Sequence, residues 1–508
     1  MDLLANLWLG LQVAVEPTNL LYCFFGVFLG TVVGVLPGIG ALAAISLLLP
    51  LSYHMSPTAA IIMLAGVYYG AQYGGSTASI LLNLPGTPSA AVTCLDGYPM
   101  AKKGKAGVAL FTTTIASLVG AMTGLVLLTL FSPAIAEIGL KFGPAEFCAM
   151  MLLGLVAASS MSAGSATKGL SMMVFGLLLG MVGTDVNSGA TRFSFDIPEL
   201  MDGINLVALA MGLFGVAEVI RGINSADTTR KIEKISLKSM APSREEFKAT
   251  IKPMARGSVL GAALGALPGV GPSIASFMSY AVEKKVAKDP SRFGHGAIEG
   301  ISGPEAANNA AAQTAFVPSL SLGIPGDAVM AVMLGALIIH GIQPGPMLIT
   351  EQPSLFWGLV VSFAIGNIML VILNLPTIGM WVALLRIPFA WMYPAILVFV
   401  ALGVYSVNNN TFDIYTVSVL GIMGYALMVL KFEPAPLLLG YILGPLLEEY
   451  LRRALLISRG DPMVFLERPI SATLLALTAL MLLWAFWSTV RSSLRAKREL
   501  DALRPQPE

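Results

Sequence analysis

Four proline–glycine pairs, Pro37-Gly38, Pro85-Gly86, Pro268-Gly269 and Pro325-Gly326, interrupt apolar stretches of this sequence. Proline and glycine break a helix and free backbone N–H and C=O groups, which persist at membrane depth only where protein or a wet cavity satisfies them. A half-helix that starts at such a break offers bare N–H donors and about half a positive charge to an anion. One that ends there offers carbonyls to a cation. Around the breaks lie small polar side chains rather than charges: Ser76, Thr77, Asn83, Thr87 and Ser89 in the first half, and Ser273, Ser276, Asn308, Asn309, Gln313, Thr314 and Asp327 in the second. Any one of these can simply hydrogen-bond between helices. As a set, with Gly38, Gly40, Pro85, Gly86, Gly269, Gly271, Pro325 and Gly326, they suit a Na+ site of oxygen ligands beside a carboxylate recognised by hydroxyls, amides and N–H groups. Glu305 and Asp327 are the acids nearest the motifs of the second half. A charge at the bilayer centre costs at least ~2.5–3.5 kcal/mol, so each either neutralises a cation, carries a proton or lies near the surface. Asp327 also reads as the cap of its own half-helix, where the first half has Thr87.

The elements that must position these residues are apolar helices. Of 508 residues 56% are hydrophobic and 12% charged, about half the ~25% charge of a soluble domain. A net charge of +1 argues against a nucleic-acid binder. Long apolar runs from residue 20 to near 490 predict an all-α polytopic membrane protein with about 10–13 membrane segments. Residues 1–18 form an interfacial or first membrane segment. Two apolar blocks follow, 19–220 and 257–450, separated by a basic linker, 221–256, whose nine Lys or Arg place it in the cytoplasm. A last helix and a basic tail occupy 451–508.

The blocks look like copies. LPGIG (Leu36–Gly40) matches LPGVG (Leu267–Gly271), and SILLNLPGTP (Ser79–Pro88) matches SLSLGIPGDA (Ser319–Ala328). DGYP (Asp96–Pro99) and HGIQP (His340–Pro344) follow in the same order, at offsets of about 230 to 245 residues, which predicts an internal duplication. Charge orients the copies. In the first block the loop after the first motif has no Lys or Arg and the loop after the second has three Lys. In the second block the first of these loops has three Lys and one Arg, and the second has none. The bias is reversed, so the repeats are expected to sit upside down relative to each other, a transporter architecture.

Cys23, Cys94 and Cys148 lack paired spacing and read as small core residues, and His54, His295 and His340 are too scattered for a metal cluster. No phosphate-binding loop is present, and the start lacks the basic region of a cleavable signal peptide. An intramembrane enzyme would need paired acids or a nucleophile beside a histidine, and neither pattern occurs. A channel would share the broken helices but would not accumulate substrate.

At these motifs the chain closely resembles the large membrane subunit of tripartite tricarboxylate transporters, the TctA family. The match is carried by GTVVGVLPGIGALAAISLLLPLSY, YYGAQYGGSTASILLNLPGTPSAAVTCLDGYPMAKKGKAG, LGALPGVGPS and PEAANNAAAQTAFVPSLSLGIPGDAVMAVMLGALIIHGIQPGP, over about residues 15–450. The resemblance implies a bacterial inner-membrane transporter that works with a small membrane subunit and a periplasmic solute-binding protein. It implies import of small carboxylates, citrate being the default, driven by a cation gradient, with no resident cofactor. Electrostatics independently favours coupling. Moving one charge against 100 mV costs ~2.3 kcal/mol, so a dianion entering a negative-inside cell needs at least two co-transported cations to cancel the term. Oxygen-rich surroundings favour Na+ over H+.

Overall fold

The computed structural model describes residues 3–36, 40–139, 141–160, 166–185, 189–222, 237–267, 271–385 and 389–502. Gly38 and Gly269, with Pro37 and Pro268, lie outside the described residues. Apart from one short hairpin the described elements are helical.

The chain divides into two compact units that do not follow the sequence blocks: Met1–Leu140 with Asn205–Tyr425, and Lys141–Ile204 with Ala426–Glu508. The first unit begins with α1 (Leu3–Ala14), α2 (Pro17–Val35), α3 (Gly40–Ser52), α4 (Pro57–Leu82), α5 (Ala91–Met100) and α6 (Ala106–Gly139). After α7 (Pro144–Ser160) and α8 (Ala166–Gly180) of the second unit, it resumes with α9 (Leu206–Ala210), α10 (Ala217–Gly222), α11 (Arg244–Gly265), α12 (Gly271–Val286), α13 (Glu299–Thr314), α14 (Phe316–Leu322) and α15 (Ala328–Ile339). The basic stretch before Arg256 therefore ends inside α11, whose start at Ser243 is fixed by a capping box with Glu246.

Two helix pairs form the centre of the first unit, and glycine decides how close they come. A β-carbon on Gly26, Gly30 or Gly34 of α2 would lie 2.3–2.5 Å from the carbonyl oxygens of Met63, Val67 and Ala71 on α4. On α11, Gly257, Gly261 and Gly265 meet the carbonyls of Gly303, Ala307 and Ala311 on α13 at 2.1–2.4 Å in the same way. Small residues one turn apart let backbones touch, the packing available to helices in lipid. Both first helices stop just short of an LPG motif, and the next helices begin at Gly40 and Gly271, each left-handed with φ of 67° and 62°.

The second helices of the pairs are enclosed by protein. Residues Ala59–Ile80 of α4 and Gly300–Thr314 of α13 are all buried. Neither is among the helices long and apolar enough to cross a membrane by length and composition, and protein surrounds both. Among the described residues, four stretches are long and apolar enough to cross by themselves, within Pro17–Val35, Pro88–Gly139, Pro353–Asn374 and Thr411–Val429. Shorter apolar helices such as Gly40–Ser52 and Ala328–Ile339 accompany them. Large apolar side chains on the outside, among them Val126, Phe131, Ile372, Tyr415 and Val419, suit contact with lipid.

In the second unit, the hairpin Gly183–Thr184 with Thr191–Arg192 is tied to helix Ala435–Ile457 by charge. Arg192 makes a two-pronged contact with Glu448, with both N···O distances 3.0 Å, and also pairs with Asp185. Arg452 bridges the same two acids at 2.6 and 3.1 Å.

Candidate functional site between the broken helices

Helix α4 is the wall shared by the polar clusters of the first unit. On one side lies the Pro85-Gly86 break. Gly86 is pressed against α2 and α4, where a β-carbon would be 1.8 Å from the Gly34 carbonyl oxygen and 2.9 Å from Gly75 Cα. Ser89 donates to Gln72 Oε1 at 2.7 Å, and its hydroxyl lies 3.0 Å from that of Thr87. Ser79 donates to the carbonyls of Gly75 and Ala90. Asn83 ends α4 in the left-handed conformation with an exposed side chain, and Pro85 is also exposed. The turn Pro88–Ala90 that opens the next half-helix receives no side-chain cap from Thr87.

The Pro325-Gly326 break is built alike but capped. Gly323 stands where Asn83 does and is left-handed too, and Ser319 donates to the carbonyl of Ala315 as Ser79 does to Gly75. Asp327 accepts from the Met330 N–H at 2.8 Å and so caps α15. Its other oxygen accepts a 2.5 Å hydrogen bond from the Tyr68 hydroxyl of α4. Gly271 at the tip of α12 lies beside it. The tips interlock: α15 packs on α3, and the Pro88–Ala90 turn packs on α12.

Between these breaks, Glu305 of α13 is 1% exposed. Its carboxylate accepts from Ser76 at 2.7 Å, from Thr93, and from Ser117 of α6 at 3.5 Å. Among the described residues no Lys or Arg pairs with it. Asn309, one turn on, gives its amide N–H to Ser117 at 2.7 Å and to the Glu305 carbonyl at 3.1 Å. Among the described residues, the amide oxygens of Asn308 and Asn309 and both amide atoms of Gln313 find no protein partner, although all three residues are fully buried. An unpaired buried polar atom costs ~1–3 kcal/mol, a cost that a ligand would remove.

The structure thus brings Ser76 and Asn309 together at Glu305, and Gly271, Gly326 and Asp327 at the second break. Thr77 is buried on α4, Ser273 is half-buried on α12, and Thr314 turns its hydroxyl to the carbonyl of Ala310, 3.1 Å away. Thr93 and Ser117 were not singled out from the sequence. Each is an ordinary helix hydroxyl, and only packing aims it at Glu305. Asp96, legible as part of DGYP but without a role, is fully buried and anchors the loop between α12 and α13. Its Oδ1 accepts the N–H groups of Gly294, Gly296 and Ala297 at 2.9, 2.7 and 2.8 Å, and its Oδ2 accepts from the Tyr280 hydroxyl at 3.0 Å.

Apolar outer faces around enclosed polar helices and interlocked helix breaks are those of an all-helical membrane protein. The chain belongs to the tripartite tricarboxylate transporter TctA family, whose model matches residues 20–439. It is accordingly a transporter component rather than an enzyme, of a system that includes a small membrane subunit and a periplasmic binding protein. Two proteins of Agrobacterium vitis are similar to it. An uncharacterized 52.8 kDa protein in the TAR-I ttuC' 3' region is 52% identical over 492 residues, covering 97% of this chain and 98% of the relative. An uncharacterized protein in the TAR-II ttuC' 3' region is 58% identical over 232 residues, covering 46% of this chain and 96% of the relative. No solved structure matches the chain.

Proposed function

We propose that this chain is the large, substrate-translocating subunit of a Na+-coupled importer in a bacterial inner membrane. It receives a tricarboxylate such as citrate, or a related small carboxylate, from the periplasmic binding protein. The two blocks act as inverted repeats, and the matched glycine ladders and matched left-handed caps at Asn83 and Gly323 support that relationship. The substrate and the coupling ion lie among the helix breaks, with Gly38, Gly40, Ser76, Thr77, Asn83, Pro85, Gly86, Thr87, Gly269, Gly271, Ser273, Asn308, Asn309, Thr314, Pro325, Gly326 and Asp327 as their shared pool of contacts. The uncapped tip at Thr87 suits a substrate carboxylate, whereas the corresponding tip of α15 already holds Asp327.

The observation that carries the coupled reading is Glu305, a carboxylate buried with no Lys or Arg paired to it among the described residues. Such a charge is retained where a mobile cation balances it. The test is uptake of labelled citrate into proteoliposomes holding this chain and its small partner, with binding protein outside. Accumulation that requires both an inward Na+ gradient and the binding protein is the expected result. Citrate that only equilibrates would replace the reading with a channel, and no citrate uptake under any gradient would move the substrate to another carboxylate.

A further inference from the structure

The two glycine ladders put α4 and α13 in one register, and the Pro85-Gly86 and Pro325-Gly326 breaks that follow keep it. In that register Ala65 stands where α13 has Glu305, and Tyr68, Tyr69 and Tyr73 stand where it has Asn308, Asn309 and Gln313. The same positions have opposite chemistry. On α4 the phenols are engaged: Tyr68 donates to Asp327, Tyr73 donates to Asn367 Oδ1 at 3.0 Å, and Tyr69 lies 3.9 Å from the Cys23 sulfur. On α13 a carboxylate is followed within one turn by two amide oxygens with no protein partner.

We propose that Glu305, the amide oxygens of Asn308 and Asn309, and the hydroxyls of Ser76, Thr93 and Ser117 form a Na+ site, and that the first block carries no counterpart. This deepens the coupled-transport reading above and rests on it. The choice of ion follows from the donor set. A proton on Glu305 would serve one acceptor and would leave at least one of the two amide oxygens bare, whereas Na+ takes several oxygen ligands, neutral ones included. The three hydroxyls contact Glu305 from α4, α5 and α6, so their remaining lone pairs stay available to a cation beside the carboxylate. Occupancy therefore ties three helices of the first block to α13 of the second, and Na+ release loosens that tie.

The test reads Na+ alone. Thermal unfolding of the purified full chain with its small subunit is followed while NaCl replaces choline chloride at constant ionic strength. The wild type is expected to melt higher in Na+ with a saturable dependence. Glu305→Gln should abolish the shift, Asn309→Ala should raise the half-saturating Na+ concentration at least tenfold, and Tyr69→Phe, at the matching place on α4, should leave it unchanged. A wild type without a Na+-specific shift, or a Glu305→Gln protein that keeps it, overturns the proposal. If Glu305→Gln does not fold, Asn308→Ala decides in its place, and an unaltered Na+ dependence there overturns the site. Citrate uptake separates the two levels. Na+-driven uptake in the wild type, with a Na+ shift untouched by these substitutions, removes this site and leaves Na+ coupling standing. Uptake driven by a pH gradient alone removes both.

Discussion

Asp96 of the first block accepts a 2.7 Å hydrogen bond from the backbone N–H of Gly296 in the second. With Gly294 and Ala297 giving to the same oxygen, a single buried carboxylate holds the loop that leads into α13. Glu305 lies on that helix, so Asp96 sets the position of the polar cluster without touching it.

Replacing Asp96 by Ala leaves three backbone donors without their acceptor, at ~1–3 kcal/mol for each that stays buried. The apparent melting temperature of Asp96→Ala in detergent should fall steeply. Asp96→Asn, which keeps one acceptor oxygen, should fall less, and equal melting of Asp96→Ala and wild type would remove the anchor.

Close approach of α11 and α13 depends on Gly261, where a β-carbon would lie 2.1 Å from the Ala307 carbonyl oxygen. Gly261→Ala should destabilise the protein by about 1–3 kcal/mol, the usual cost of overpacking. Ala at Gly379, which has open space around it, should cost far less. The comparison is read from melting temperatures at equal expression.

At Asn83 the backbone is left-handed with φ of 58°, and the side chain is exposed. Asn83→Gly should keep the fold, whereas Asn83→Ala should cost ~1–2 kcal/mol of backbone strain. If the amide contacts substrate, as proposed, Asn83→Gly raises the KM for uptake without lowering the melting temperature. An unchanged KM would reduce Asn83 to a helix terminator.

Acid should reveal the capping box of α11. Lys105, at 2.8 Å, and the Ser243 N–H hold the Glu246 carboxyl below the usual carboxylate range. A depressed folded value means that the stabilisation is present above the unfolded pKa of ~4.3 and is lost as pH falls through the folded value. Wild type should therefore melt above Glu246→Gln at pH 7, and the gap should close as pH falls through the depressed folded value. A gap independent of pH would show that charge is not its source.

In the second unit, Arg192→Ala removes the two-pronged contact to Glu448 and the pairing to Asp185. Arg192 and Glu448 are partly open to solvent, and the buried Asp185 keeps Arg452 as its partner, so the loss should be about 1 kcal/mol and should shrink in high salt. Faster proteolysis near residues 183–192, with uptake retained, is the expected readout.

Composition and local pattern determined much of this protein. Hydropathy dictated apolar helices, and Pro325-Gly326 could not continue a helix wherever it was placed, so that break was legible in the sequence. The family followed from contiguous motifs, because local residues carry them. Tertiary structure decided which polar groups meet. Ser117 and Thr93 look like ordinary hydroxyls in apolar helices until α6 and α5 pack against α13. Asp96 looks like a turn residue until the loop at Gly296 folds onto it. The sequence also left α4 and α13 looking like ordinary membrane segments, although their polar residues are tolerable only inside protein. Hydrophobicity is read residue by residue, whereas a hydrogen bond between positions some two hundred residues apart exists only once the helices carrying them have been brought together.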